Sequence, residues 1–261
     1  MPTINDINKA RLATHFNQAL STYDLQALAQ QIINQYLINL LLAYRPAGML
    51  GNVLEIGCGT GGLSQYLLRH YTARHWVFND LNQGCEAYIE DVVRQYSQGG
   101  NYTFVAGDAE QLDLSDSYDL IASASTVQWF SNLPRFIANI ADALPTGAWF
   151  LCSSFAPDNL PEIKALSGKG LQYLDRTQWL NLLAPHFEVN VFEQDDICLW
   201  FDDAFAVLKH LKQTGVTATS QGVWSRTRLA NFAEEYQALF SNEKGQVRLS
   251  YRPFYILAQR K

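Results

Sequence analysis

The stretch NVLEIGCGTGGLSQYLL, residues 52–68, constrains this chain more than any other. An apolar run closes at Glu55-Ile56, glycines stand at 57, 59, 61 and 62, and helical spacing resumes at Leu63. That order predicts a short buried strand over 53–56, a glycine turn, and a helix over 63–70. A glycine loop feeding a helix lets backbone approach a ligand closely, and its N–H groups favour negative ligand groups. Gly57, Gly59 and Gly62 fit the G-x-G-x-x-G pattern of dinucleotide sites. Taken alone, that pattern does not separate a dinucleotide from other nucleosides.

The rest of the chain repeats the theme. Strands are expected over 76–78, 102–105, 118–123 and 148–153, with helices over 85–96 and 133–144 between them. Alternation of this kind implies a mostly parallel sheet with helices on both faces, an α/β doubly wound architecture. The first fifty residues read as helices, with Phe16, Leu20, Ile33, Leu37 and Leu41 at helical spacing and Pro46 and Gly48 as the stop. After Phe155 the pattern loosens. Pro157, Pro161, Gly168 and Gly170 mark a loop region, followed by a helix over 176–183, a strand over 187–192 and a helix over 204–213 that ends at Gly215. A polar stretch and a helix over 228–240 precede a final strand over 247–259, in which Pro253 marks an edge or a bulge. Three segments are expected: 1–48, helical and over the ligand site; 49–155, the ligand-binding core; 156–261, a cap plus the strands that complete the sheet.

Composition narrows the class. With 48% apolar and 17% charged residues, the chain reads as an ordinary globular protein. No apolar run of about 18 residues suggests a membrane span, and the first residues lack a signal-peptide core, so a cytoplasmic location is expected. Cys58, Cys85, Cys152 and Cys198 lie far apart, and with five scattered histidines they give no metal-ligand pattern. Net charge is divided. Residues 1–203 carry 10 Lys and Arg against 22 Asp and Glu, a net of −12; residues 204–261 carry 9 against 3, a net of +6. Such a split marks either a surface for an acidic partner or two regions that pair internally.

Three acids then discriminate among ligands. Glu55 ends the first strand, Asp80 ends the second, 23 residues after Gly57, and Asp108 ends the third, in GDAEQL. Open α/β sheets bind ligands at this carboxyl edge. Asp80 suits ribose hydroxyls, Asp108 an adenine amine, and Glu55 an amino group or a cation. A pyrophosphate does not want further carboxylates nearby. The set fits a cofactor with a ribose, an adenine, a sulfonium and an amino-acid end.

The segments VLEIGCGTG, FNDLN and GDAEQL resemble the first three motifs of class I S-adenosylmethionine-dependent methyltransferases. The resemblance implies a seven-stranded sheet whose last strand is antiparallel, here the 247–259 segment. It implies that Glu55, Gly57, Gly59 and Gly61, with Cys58, line the methionine end of S-adenosylmethionine. Asp80, followed by Leu81, would hold the ribose, and Asp108 and Ala109 the adenine. A narrower resemblance spans the chain: FNQALSTYDLQALAQ, SASTVQWFSNLPRFI, LKQTGVTATSQGVWSRTRL and LSYRPFYILAQRK are similar to the malonyl-acyl-carrier-protein O-methyltransferases of biotin synthesis. Glu55 stands where many members have aspartate, and Thr60 where many have proline.

What this implies is methyl transfer to the free carboxylate of a malonyl thioester on acyl-carrier protein, by a monomer that engages neither nucleic acid nor membrane. A carboxylate is already ionised near pH 7 and needs no general base. Alignment and water exclusion are the enzyme's tasks. Tyr23 on the N-terminal helix is placed to close over the donor, with Gln128 and Trp129 bordering the acceptor. An arginine fork suits a carboxylate, and Arg226, Arg228, Arg248 and Arg252 are candidates. Lys209 and Lys212, with Arg226 and Arg228, are candidates to meet an acidic carrier. A methyltransferase acting on another small carboxylate and a nicotinamide-dependent oxidoreductase stay open as alternatives.

Overall fold

The computed structural model describes residues 8–168, 170–214 and 225–261, without the side chains of residues 19 and 21–26. Two helices come first, α1 (Lys9–Gln26) and α2 (Leu28–Tyr44). Strand β1 (Gly48–Ile56), helix α3 (Ser64–His70), strand β2 (Tyr71–Asp80), helix α4 (Glu86–Tyr96) and strand β3 (Asn101–Ala106) follow. Strand β4 (Leu120–Ser123), helix α5 (Leu133–Ala143) and strand β5 (Trp149–Phe155) continue the alternation. Then come α6 (Pro161–Ser167), α7 (Arg176–Leu183), β6 (Phe187–Gln194), β7 (Ile197–Phe201), α8 (Ala204–Gln213), α9 (Arg226–Phe240), β8 (Val247–Tyr251) and β9 (Pro253–Arg260).

Seven strands form one sheet in the order β3-β2-β1-β4-β5-β9-β6. The first five are mutually parallel, and β9 runs antiparallel between β5 and β6. Each face is apolar, so each needs cover. Val53, Phe78, Leu120, Leu151 and Leu257 turn to α2, α3, α4 and the cap helices, where Ile33, Leu67, Ile89 and Val207 meet them. Leu54, Val77, Ile121, Phe150 and Ile256 turn the other way, to Ile137 of α5 and Trp179 of α7. This is the doubly wound layering that alternation in sequence implies. The strand order reverses between β1 and β4, so a crevice opens above their carboxyl ends.

The carboxyl third departs from the sequence reading. Instead of one strand over 247–259 there are two, in different sheets. β8 pairs antiparallel with β7 in a small separate sheet, and only β9 enters the large one. The break falls at Arg252-Pro253, where proline cannot donate a ladder bond. The region expected as loop between Pro157 and Gly170 contains α6, which Pro161 starts at its first turn and Gly168 ends in a left-handed conformation. Glu162 of α6 is buried, and it binds Ser250 through the backbone N–H (3.1 Å) and the hydroxyl (2.8 Å) and Arg248 Nε (3.1 Å). The cap is thereby pinned to β8. The polar stretch from Gly215 to Trp224 lies outside the described residues.

Candidate active site

Asn79 organises the strand ends. Its carbonyl accepts from Gly57 N (2.8 Å) and Cys58 N (3.0 Å), and its side chain donates to the carbonyls of Val105 (2.9 Å) and Gly107 (3.0 Å). One buried amide thus fastens the ends of β1, β2 and β3 together. Asp80, next in sequence, accepts from Gly59 N (2.9 Å) and Asn82 N (2.8 Å). The glycine loop is held against β2 by the Asn79 carbonyl and the Asp80 carboxylate, but its shape is reserved for glycine. Gly57 has φ +68°, and a Cβ there would sit 2.2 Å from the Thr126 hydroxyl. Gly61 (φ +86°) is needed for packing: its Cβ would press on Val92 of α4. Gly59 differs from both. Its φ is +53°, and a Cβ there would meet nothing within 4 Å, because it points into open cleft.

That cleft lies over the glycine loop and the ends of β2 and β3. Gly57, Gly59, Asp80, Leu81, Asp108 and Ala109 line it from the sheet side, and Trp129 lines it from the turn after β4. Glu55 and Cys58 line an adjoining recess beneath the glycine loop. Gln128 faces a further chamber beyond Trp129. Most of the proposed donor residues therefore converge; Gly61 stands behind them as a packing residue. Tyr23 lies on α1, but its side chain is outside the described residues.

The electrostatics are unusual for so acidic a rim. Glu55 is only 2% exposed, and its Oε2 has no partner among the described residues. Burial pushes its carboxyl up to about 8; Ser64 at the start of α3 pulls back, and Asp80 adds to the rise. Burial also raises Asp80, opposed by the two backbone N–H bonds it accepts. An unsatisfied buried carboxyl beside a second one is a poor arrangement for an empty fold and a good one for a ligand ammonium or sulfonium. The residues present therefore fit a zwitterionic amino-acid end at this place.

Helix α1 lines the cleft through residues that the sequence did not single out as site residues. Lys9 lies 2.6 Å from Asp108 and also bonds Glu110, while Glu110 accepts from Ser131 N (2.8 Å) and Asn132 N (2.6 Å). Phe16 meets Trp129 edge-on at 5.9 Å, and both line the cleft. Phe16 was visible only as one apolar member of a helical stripe, and a single Lys on a helix carries no signal of its own.

The basic candidates separate into two groups. Arg252 is committed to Asp158 and, at 3.8 Å, Asp196, and Arg248 to Glu162. Arg260 donates to the carbonyls of Ala141 (2.7 Å) and His186 (3.0 Å). Lys209 and Lys212 on α8 and Arg226 and Arg228 on α9 are exposed. Internal pairing thus accounts for part of the carboxyl-terminal positive charge.

Among solved structures, the fold resembles the YcgJ protein of Bacillus subtilis, with a TM-score of 0.63 over 87% of this chain and 99% of the other, at 14% identity. It also resembles the N-methyltransferase NodS of Bradyrhizobium japonicum, solved with S-adenosyl-L-homocysteine, with a TM-score of 0.51 over 87% and 85% at 13% identity. A family model described as a methyltransferase domain matches residues 53–147. The architecture is that of a class I methyltransferase.

Sequence relatives narrow this further. The chain is 39% identical to a malonyl-[acyl-carrier protein] O-methyltransferase of Haemophilus influenzae, over 99% of this chain and 97% of the relative. It is 42% identical to the protein of that name from Haemophilus ducreyi, over 97% of each. It is 38% identical to the one from Porphyromonas gingivalis, over 98% of each. This chain belongs to the malonyl-[acyl-carrier protein] O-methyltransferase family.

Proposed function

We propose that this protein binds S-adenosylmethionine in the cleft and methylates the free carboxylate of a malonyl thioester carried on acyl-carrier protein. The observation that carries the reading is the rank of Glu55, Asp80 and Asp108 around a glycine whose Cβ direction is open space. When bound, the cofactor supplies an electrophilic methyl group on a positively charged sulfur. Glu55 takes the amino-acid end, Asp80 the ribose hydroxyls, and Asp108 the adenine amine in place of Lys9. The Phe16–Trp129 pair, between α1 and the turn after β4, excludes water from the acceptor side.

The acceptor needs no base, since its carboxylate is ionised at neutral pH. Transfer would break the donor's methyl carbon–sulfur bond as the oxygen–carbon bond forms, so the sulfonium's positive charge and the carboxylate's negative charge would be lost together. Desolvating that pair therefore favours reaction, and the closed apolar roof serves this end. The exposed Lys209, Lys212, Arg226 and Arg228 complement an acidic carrier and would speed its encounter. Transfer of labelled methyl to malonyl carrier protein, malonyl-coenzyme A and free malonate, compared side by side, tests the reading. The carrier-bound substrate is expected to lead. Equal rates on all three would favour a general small-carboxylate methyltransferase.

No helix among the described residues is long and apolar enough to cross a membrane.

A further inference from the structure

We propose that the acceptor carboxylate is held by the neutral hydroxyls of Ser125 and Tyr173, the second aimed by Asn159, and by no cation. This deepens the reaction proposed above and rests on it.

Beyond Phe16 and Trp129, the donor cleft adjoins a chamber walled by Gln30, Ser125, Gln128, Phe155, Tyr173 and Tyr251. Phe16, Ser125 and Trp129 line both spaces, so the chamber sits where an acceptor must meet a donor. Its described wall contains no Lys, Arg, Asp or Glu. The arginine fork expected from sequence is absent from this wall among the described residues, and Arg252 and Arg248 are ion-paired to carboxylates.

Two hydroxyls are poised there instead. Ser125 follows β4 with φ +51°, a conformation uncommon for a residue with a side chain, and its N–H is tied to Ser153 Oγ at 2.9 Å. Its own hydroxyl is buried and has no partner among the described residues. The Tyr173 oxygen accepts from Asn159 Nδ2 at 3.3 Å. Asn159 Oδ1 accepts Arg252 N at 2.9 Å, so the amide can present only its nitrogen to Tyr173. Tyr173 must then send its proton elsewhere, and no acceptor for it exists among the described residues. Burial pushes its hydroxyl up to about 12, which keeps it a neutral donor. Gln128 gives one amide N–H to Ser125 O at 2.6 Å, and its oxygen, an acceptor, cannot bond a carboxylate. Ser125 and Tyr173 are the hydroxyls of this wall that have no acceptor among the described residues, and both can donate to an anion.

Neutral donors also suit the reaction. Charge disappears as the bond forms, so a cation clamped on the carboxylate would stabilise the ground state more than the transition state. Hydroxyls orient the oxygen and give up less when its charge is lost.

The test measures kcat and KM for methyl transfer to a malonyl thioester of N-acetylcysteamine, together with calorimetric affinity for S-adenosylhomocysteine. Tyr173→Phe and Ser125→Ala are each expected to raise KM about tenfold, as loss of one bond to a charged group would, with S-adenosylhomocysteine affinity unchanged. Ser125→Gly should raise KM equally while relieving the positive φ, which separates the lost hydroxyl from a folding defect. Asn159→Asp keeps the acceptor for Arg252 N but turns the Tyr173 proton toward itself, so KM should rise although Tyr173 is intact. The thioester's methyl ester, bound as an inhibitor, should lose almost no affinity in any variant. Unchanged KM in Tyr173→Phe and both Ser125 variants would overturn the cradle. So would a tenfold KM rise in Arg226→Ala or Arg228→Ala on this small substrate. A wild-type protein that methylates no malonyl thioester would fail one stage earlier, on the reaction itself, and would take the cradle with it.

Discussion

The two sides of the active-site cleft are built by opposite means. The donor side gathers three carboxyl groups and the backbone of a glycine loop within one continuous run of βα units, Glu55 to Asp108. The acceptor side gathers uncharged groups from α2, the turn after β4, the segment before α6, the segment before α7, and β8. A cofactor with fixed charges can be met by fixed charges. A substrate whose charge vanishes in the reaction is better met by groups that bind the carboxylate without outweighing the transition state. Changes on one side should therefore alter donor affinity alone, and changes on the other should alter acceptor KM alone.

Gly57→Val should have the largest effect. The new side chain strikes Thr126 and must adopt a positive φ, so loss of stability and of donor binding are expected together, read by circular dichroism and calorimetry. Gly59→Val breaks the comparison more cleanly. Its φ of +53° adds strain, but the side chain projects into empty cleft, so the expected outcome is a folded protein with donor affinity down by more than about 100-fold. Unaltered affinity in Gly59→Val would show that the loop turns the chain without cradling a ligand.

Asp80→Ala comes next, with an expected loss of about 1–3 kcal/mol in donor binding from unpaired ribose hydroxyls. The acceptor's KM, measured at saturating donor, should stay within about twofold. A large KM change would mean the two sides are not independent.

Glu55 supplies a pH test. Its carboxyl in the folded protein ionises near 8, above the ordinary range of the unfolded chain, so between those values the fold holds a proton that the unfolded chain releases. Stability from this group is full below about pH 4 and is lost as pH rises through 8. Thermal melting of the free protein should therefore decline toward pH 8 more steeply in wild type than in Glu55→Gln. A cationic ligand favours the ionised form, so donor binding at pH 7 should release protons, seen in calorimetry as a dependence on buffer ionisation heat. Glu55→Gln should abolish the release.

The smallest effect belongs to the exposed bases. Reversing the charge of Lys209 and Lys212 should raise KM for carrier-bound substrate a few-fold at 50 mM salt and less at 200 mM, with no change for a small thioester. Salt-independent kinetics of the wild type on carrier protein would remove docking from α8.

Legibility followed the same division. The donor side could be read because each acid ends a strand and each strand is flagged by its own apolar run. Even there, Lys9 escaped, since its role depends on α1 folding back over Asp108. On the acceptor side, β7 was missed: ICLWF alternates buried and exposed positions, but only Asp195 and Asp196 separate it from β6. Helix α6 is hidden in the sequence because Pro161 and Gly168, which bound it, are the same residues that punctuate loops. Arg252 looked free because Asp158 and Asp196 are distant in sequence and become its partners only when the cap closes on β8 and β9. Tyr173 gave no signal, because its meaning lies in the amide of Asn159.

The position of β9 carries a consequence for biosynthesis. It lies between β5 and β6, yet it follows β6 in the chain by the whole cap. A nascent chain emerging from the ribosome can pair β1 to β5 early, while β6 has no neighbour in the large sheet until β9 arrives. During that interval β6 is an unpaired strand beside an open edge at β5, the part of the molecule most exposed to misassociation. The cap is translated inside this window, so the slow step in maturation is expected to be the late insertion of one central strand between two that have waited for it.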